Sequence, residues 1–156
     1  MNKTRVQFMV FWLVILAASF GLSAESNFTA KLSGKEVVPP VKTKARGEAK
    51  FQLAKDGNAM SYQLTVKNIE NVTAAHIHSG AKGTNGPPVV NLFTGPKKEG
   101  KFSGKLSEGT ITADNLAGSL KGKTIGDLVQ MIRAGNAYVN VHTDKYPDGE
   151  IRGQIK

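Results

Sequence analysis

An all-β fold, a Greek-key-like antiparallel β-sandwich carrying one short α-helix, is what the sequence predicts, and three observations predict it. Apolar and polar residues alternate through most of the chain, most clearly where Met60, Tyr62, Leu64 and Val66 interleave with Ser61, Gln63, Thr65 and Lys67. That period places one side of a strand against a core. Turn signals of Gly, Pro, Asn and Asp separate these runs at roughly 8–12 residues, the spacing of sandwiches and small barrels. One stretch alone has the i, i+3, i+4, i+7 spacing of a helix: Ile125, Leu128, Val129 and Ile132.

The first 24 residues are a separate element. Lys3 and Arg5 precede a stretch, 6–20, in which 13 of 15 residues are apolar, and Leu22-Ser23-Ala24 ends in small residues before Glu25. A charged start, a short apolar run and small residues at the cut make a secretory signal peptide. A membrane span needs roughly 20 apolar residues, so cleavage after Ala24 is expected, with no membrane span in the mature form. Residues 25–156 then form one domain of 132 residues, secreted or periplasmic. Without Lys3 and Arg5 it carries 19 basic against 12 acidic residues, a net charge of +7.

Along that domain, Phe28, Ala30 and Leu32 form a first strand, and Val37-Val38-Pro39-Pro40 is irregular because proline cannot donate to a ladder. The run from Ala45 to Leu53 and the run from Met60 to Lys67 make a hairpin around Asp56-Gly57-Asn58. Residues 72–78 form the next strand and 80–88 a loop. Further strands are expected at 89–93, 102–106, 109–112 and 116–120, with a charged turn at 95–100. The helix covers 124–134, with Thr124 as N-cap, Asp127 completing a capping-box pattern and Gly135 as C-terminal cap. Strands at 137–143 and 150–155 flank the turn Tyr146-Pro147-Asp148-Gly149.

Composition excludes several chemistries. The chain has no cysteine, hence no disulfide framework, thiolate nucleophile, haem attachment or cysteine metal site. No Gly-x-Ser-x-Gly or phosphate-loop pattern occurs, and no catalytic residue is singled out. An exported basic protein is not expected to take nucleic acid as its main partner. Anionic envelope polymers or another exported protein suit its charge better. Lys97, Lys98, Lys101 and Lys105 read as a solvated edge that discourages strand aggregation.

The three histidines of the chain are His76, His78 and His142. Positions i and i+2 of a strand share a face, so His76 and His78 project together. His142, from a second strand, would complete a three-nitrogen site suited to copper or zinc. Affinity at such a site should fall as pH drops through the usual histidine range near 6.5. Asn140, Asp144 and Glu150 stand near His142 in sequence and are the candidates to hold an imidazole N–H from outside the ligand set. The alternative is a non-enzymatic binding or adhesion module in which these histidines are structural. A copper enzyme resembling superoxide dismutase is suggested only by three histidines on strands.

The segments Ala75-His76-Ile77-His78-Ser79-Gly80, Gly86-Pro87-Pro88-Val89-Val90, Gly135-Asn136-Ala137-Tyr138-Val139-Asn140-Val141-His142-Thr143 and Pro147-Asp148-Gly149-Glu150-Ile151-Arg152-Gly153-Gln154-Ile155, in this order, resemble the CHRD domain, named after chordin and found in many exported bacterial proteins. The resemblance spans about residues 27–156. It implies an all-β, extracellular or periplasmic domain with no agreed activity. It also implies that His76, His78, Asn140, His142 and Thr143 are motif positions.

Overall fold

The computed structural model describes residues 26–156; the expected signal segment, 1–24, lies outside the described residues. Seven strands and one α-helix follow in chain order: β1 (Asn27–Ser33), β2 (Arg46–Leu53), β3 (Met60–Ser79), β4 (Pro88–Phe93), β5 (Lys98–Ile111), α1 (Ile125–Arg133), β6 (Ala137–Thr143) and β7 (Ile151–Gln154). All pairings between strands are antiparallel. The expected hairpin forms β2 and β3, with Leu53 opposite Met60.

The 20-residue β3 organises the fold. Its first half pairs with β2 and β5, and its second half with β6 and β4. β6 pairs with β7 and β7 meets β1 at Ser33 and Arg152. Thr29 and Lys156 then exchange backbone hydrogen bonds of 2.7 and 2.9 Å. With β1 also paired to β2, the sheet closes into a barrel-like sandwich. Closure removes the unpaired edges that an open sheet would present along these strands.

The sequence reads β3 as two strands; they are one. Asn68 and Asn71 sit in the left-handed region, at φ 54° and 51°, which asparagine tolerates better than most residues. Ladder irregularities fall between Val66 and Ile69, between Glu70 and Val72, and between Val72 and Ala74. A bulge inserts one residue and turns the following side chains to the other face. Met60, Leu64 and Val66 are buried at even positions, whereas Ala75 and Ile77 are buried at odd ones. That change of parity puts Ile77 in the core and leaves His76 and His78 on the outer face. An unbroken alternation from Met60 would have aimed both imidazoles inward.

Two further departures are local. The two short strands expected at 102–106 and 109–112 are the single β5, which begins within the expected charged turn. Residues 116–120 are not a strand. Leu116 makes one isolated bridge to Val90 between two 3-10 turns, at Ala113–Asn115 and Gly118–Leu120. Asn115 Oδ1 accepts from the Thr112 amide at 2.8 Å, which coils the chain there, and Leu116 and Leu120 are still buried.

The helix forms where its caps predict. Thr124 N–H donates to Asp127 Oδ2 at 2.8 Å and the Asp127 amide donates back to Thr124 Oγ1 at 3.3 Å. Gly135, at φ 73°, follows the C-cap Ala134. Ile125, Leu128, Val129 and Ile132 join the core that Leu64, Ile77, Val139, Val141 and Ile151 form inside the barrel. None of the described helices is long and apolar enough to cross a membrane.

Candidate metal centre

Strand register brings the three histidines together. β3 and β6 pair with Ala74 opposite His142, His76 opposite Asn140 and His78 opposite Tyr138. With Val139 and Val141 in the core, Tyr138, Asn140 and His142 share the outer face with His76 and His78. His142 is the diagonal neighbour of His76, a distance that long side chains span. The result is an imidazole triangle with ring centroids 5.0, 5.6 and 5.7 Å apart. One ring nitrogen from each lies within 4.8 Å of the other two.

Two loops fold over this face and set the rings. His78 Nδ1 lies 2.8 Å from the carbonyl oxygen of Gly86, and His142 Nδ1 lies 2.8 Å from that of Pro147. A carbonyl only accepts, so each Nδ1 carries the proton, and in a neutral ring each Nε2 is a bare lone pair. His142 Nε2 meets His76 Nδ1 at 3.1 Å. His78 Nε2 is buried and has no hydrogen-bond partner. Such an orphaned acceptor costs roughly 1–3 kcal/mol, so its orientation asks for a partner from outside the chain. Gly86 reaches its place because it lacks a side chain: a Cβ there would stand 1.7 Å from the Ser79 carbonyl oxygen.

Charge on two of these rings, His76 and His78, is disfavoured. Burial, then the neighbouring His142 and His78, pushes His76 down to about 4. Burial also lowers His78, opposed by its bond to Gly86 and helped by the nearby His142 and Arg152. Neutral imidazole is the form that binds a transition metal.

The three nitrogens, within 4.8 Å of one another, form a group that could hold one ion. Bonds of about 2.0–2.1 Å around a tetrahedral centre separate two nitrogens by roughly 3.3 Å, close to the 3.1 Å between His76 and His142. His78 is 8 % exposed at the foot of the cluster, and His76 and His142 are half-buried above it.

The three residues named as outer partners are placed differently from one another. Asn140 lies beside the site, opposite His76; its Nδ2 donates to the Asp148 carbonyl at 2.9 Å and its Oδ1 is buried without a partner. Asp144 instead pairs with Lys97 at 3.0 Å. Glu150 accepts from Thr43 Oγ1 at 2.6 Å and from the motif residue Thr143 at 2.9 Å. Holding the imidazole N–H groups falls to the carbonyls of Gly86 and Pro147. Backbone partners leave no trace in residue type, which is why the sequence did not point to them. Tyr138 was legible by period, since it precedes Asn140 and His142 on one face of β6; its ring stacks on His78 at 5.0 Å and 13°.

Compared with known families, residues 28–155 match the model described as the CHRD domain. Neither curated proteins nor solved structures match the chain.

Proposed function

The chain belongs to the CHRD-domain family, and from that premise we propose that it is an exported protein that binds a transition metal, copper or zinc, through His76, His78 and His142. One observation carries the reading: a buried, partnerless His78 Nε2 in a cluster whose other rings bring nitrogens to 3.1 Å. The chemistry offered is coordination by three neutral nitrogen donors, a set that copper and zinc share. Export is supported by the signal pattern of residues 1–24.

Metal content tests this directly. Protein purified from the exported fraction without an affinity tag should carry copper or zinc near one equivalent by elemental analysis. Metal-free protein should regain one equivalent on titration with either ion. Failure of both would leave the adhesion-module reading, in which the imidazoles serve only to hold the two loops.

That second reading has its own support, in the charge. A net +7 between residues 25 and 156, with Lys98 and Lys101 exposed along β5, suits weak contact with anionic envelope polymers. Such binding should fade as salt rises, because exposed charges are screened within roughly 8–10 Å at physiological ionic strength.

A further inference from the structure

We infer that Arg152 is a positioning residue of this site: it holds the 80–88 loop against the sheet so that Gly86 fixes His78 with its Nε2 free. The inference rests on the metal-site reading and adds to it the element that sets one donor atom.

Arg152 is 2 % exposed. Its hydrogen bonds go to neutral acceptors on the loop: Nη1 to Asn85 Oδ1 at 3.1 Å, and Nη2 to the carbonyls of Ala81 at 3.0 Å and Thr84 at 2.8 Å. Its guanidinium also lies 3.5 Å from the centre of the Tyr138 ring. Strand order β7–β6–β3 places Tyr138 between Arg152 and His78. The row is therefore guanidinium, phenol ring, imidazole. Above it the loop is tied down twice, by Arg152 at 81–85 and by Tyr138 and His78 at Gly86, whose amide donates to the Tyr138 hydroxyl at 3.1 Å.

Burying a cation whose hydrogen-bond partners are all neutral is costly even with the charge of Glu36 nearby, and an apolar side chain would fill the same position more cheaply. What guanidinium adds is a flat fork that satisfies several acceptors while stacking on a ring, which an ammonium cannot do. Those acceptors all belong to the loop that delivers the Gly86 carbonyl. Without the clamp, the His78 Nδ1 proton loses its fixed partner, and the imidazole is free to turn or to move its proton to Nε2, which would block the donor.

The test compares wild type with Arg152→Met, Arg152→Lys and Asn85→Ala, first without metal. Two-dimensional 15N NMR of the imidazoles should show wild-type His78 protonated at Nδ1. Arg152→Met and Arg152→Lys should convert it to a mixture with substantial Nε2–H, while circular dichroism still reports the folded β-sheet. Asn85→Ala, which removes the 3.1 Å bond from Arg152 and the 2.7 Å bond that Asn85 Nδ2 donates to the Val38 carbonyl but leaves the two Arg152 bonds to Ala81 and Thr84, should shift the mixture less. Zinc affinity should fall about tenfold in both Arg152 variants, the scale of losing an outer partner of a ligand. The inference is overturned if Arg152→Met keeps His78 at Nδ1–H and zinc affinity within twofold of wild type. Should the Arg152 variants fail to fold, an unchanged tautomer ratio in Asn85→Ala overturns it and a shifted one supports it. Wild type that binds no metal would refute the metal reading instead, and the tautomer comparison would still decide the role of Arg152.

Discussion

His76 and His142, 66 positions apart, bring Nδ1 and Nε2 within 3.1 Å of each other because β3 and β6 pair with His76 opposite Asn140 and Ala74 opposite His142. The contact has one consistent arrangement without metal. His142 gives its Nδ1 proton to Pro147, so its Nε2 is bare and His76 Nδ1 must donate. On the metal-site reading the His76 proton would move to Nε2, and an ion would then sit between the freed Nδ1 lone pair and His142 Nε2, where both gain more than a weak neutral hydrogen bond provides.

Removal of any one imidazole therefore separates the two readings of the cluster. His76→Ala, His78→Ala and His142→Ala should each weaken zinc or copper binding by more than the ~10–100-fold typical of losing an outer partner. In wild type, metal at a hundredfold excess over Kd should add about 2.7 kcal/mol of stability, and the variants should show little of it. Calorimetric titration and thermal unfolding with and without metal check both. Unequal stability losses with no change in metal response would refute a shared site.

The pH response follows from His76. Its folded value is held near 4 against an ordinary 6.5. Between those values the ring is neutral when folded and charged when unfolded, so the unfolded chain binds the extra proton. Metal-free stability should rise with pH across this window and be lost as pH falls from about 6.5 toward 4. For the same reason metal affinity should hold at pH 5.5 better than free imidazole would. An NMR titration of His76 with a midpoint near 6.5 would contradict this.

Gly86 and Gly83 belong to one loop and should respond differently to a methyl group. At Gly86 the added carbon meets the Ser79 carbonyl oxygen at 1.7 Å, whereas at Gly83 it meets nothing within 4 Å. Gly83→Ala should cost only the strain of its φ of 79°, about 1 kcal/mol. Gly86→Ala should cost more than about 2 kcal/mol, in the range of severe backbone conflicts, and should loosen metal binding with it. Urea unfolding of both variants, with metal titrations, provides the comparison.

Processing should be visible in fluorescence. Trp12 is the only tryptophan, so an exported protein beginning at Glu25 should emit as tyrosine alone and show the matching intact mass. Tryptophan emission from the exported form would refute cleavage after Ala24.

The parts of the molecule written in local chemistry were legible from the chain. The helix was, because Thr124, Asp127 and Gly135 satisfy its ends within a few residues. So was the shared direction of His76 and His78, because a strand repeats every two residues. The strand carrying Tyr138, Asn140 and His142 was legible for the same reason.

The amino-acid sequence by itself determined the strand-rich fold, the capped helix and the identity of the three imidazoles. Tertiary structure decided whether they meet. Successive irregularities in β3, the last between Val72 and Ala74, change its parity and turn His76 and His78 outward, and pairing with β6 sets His142 beside them. It also decided which groups hold the rings, choosing the Gly86 and Pro147 carbonyls over the carboxylates of Asp144 and Glu150. Two physical reasons apply. The meeting of the imidazoles and the tie from Arg152 to the 80–88 loop join partners 66 and 67 positions apart, and no window along the chain contains both members of such a pair. The ring-holding carbonyls lie only 8 and 5 positions from their histidines, but a backbone carbonyl is the same in every residue type, so local sequence does not mark it.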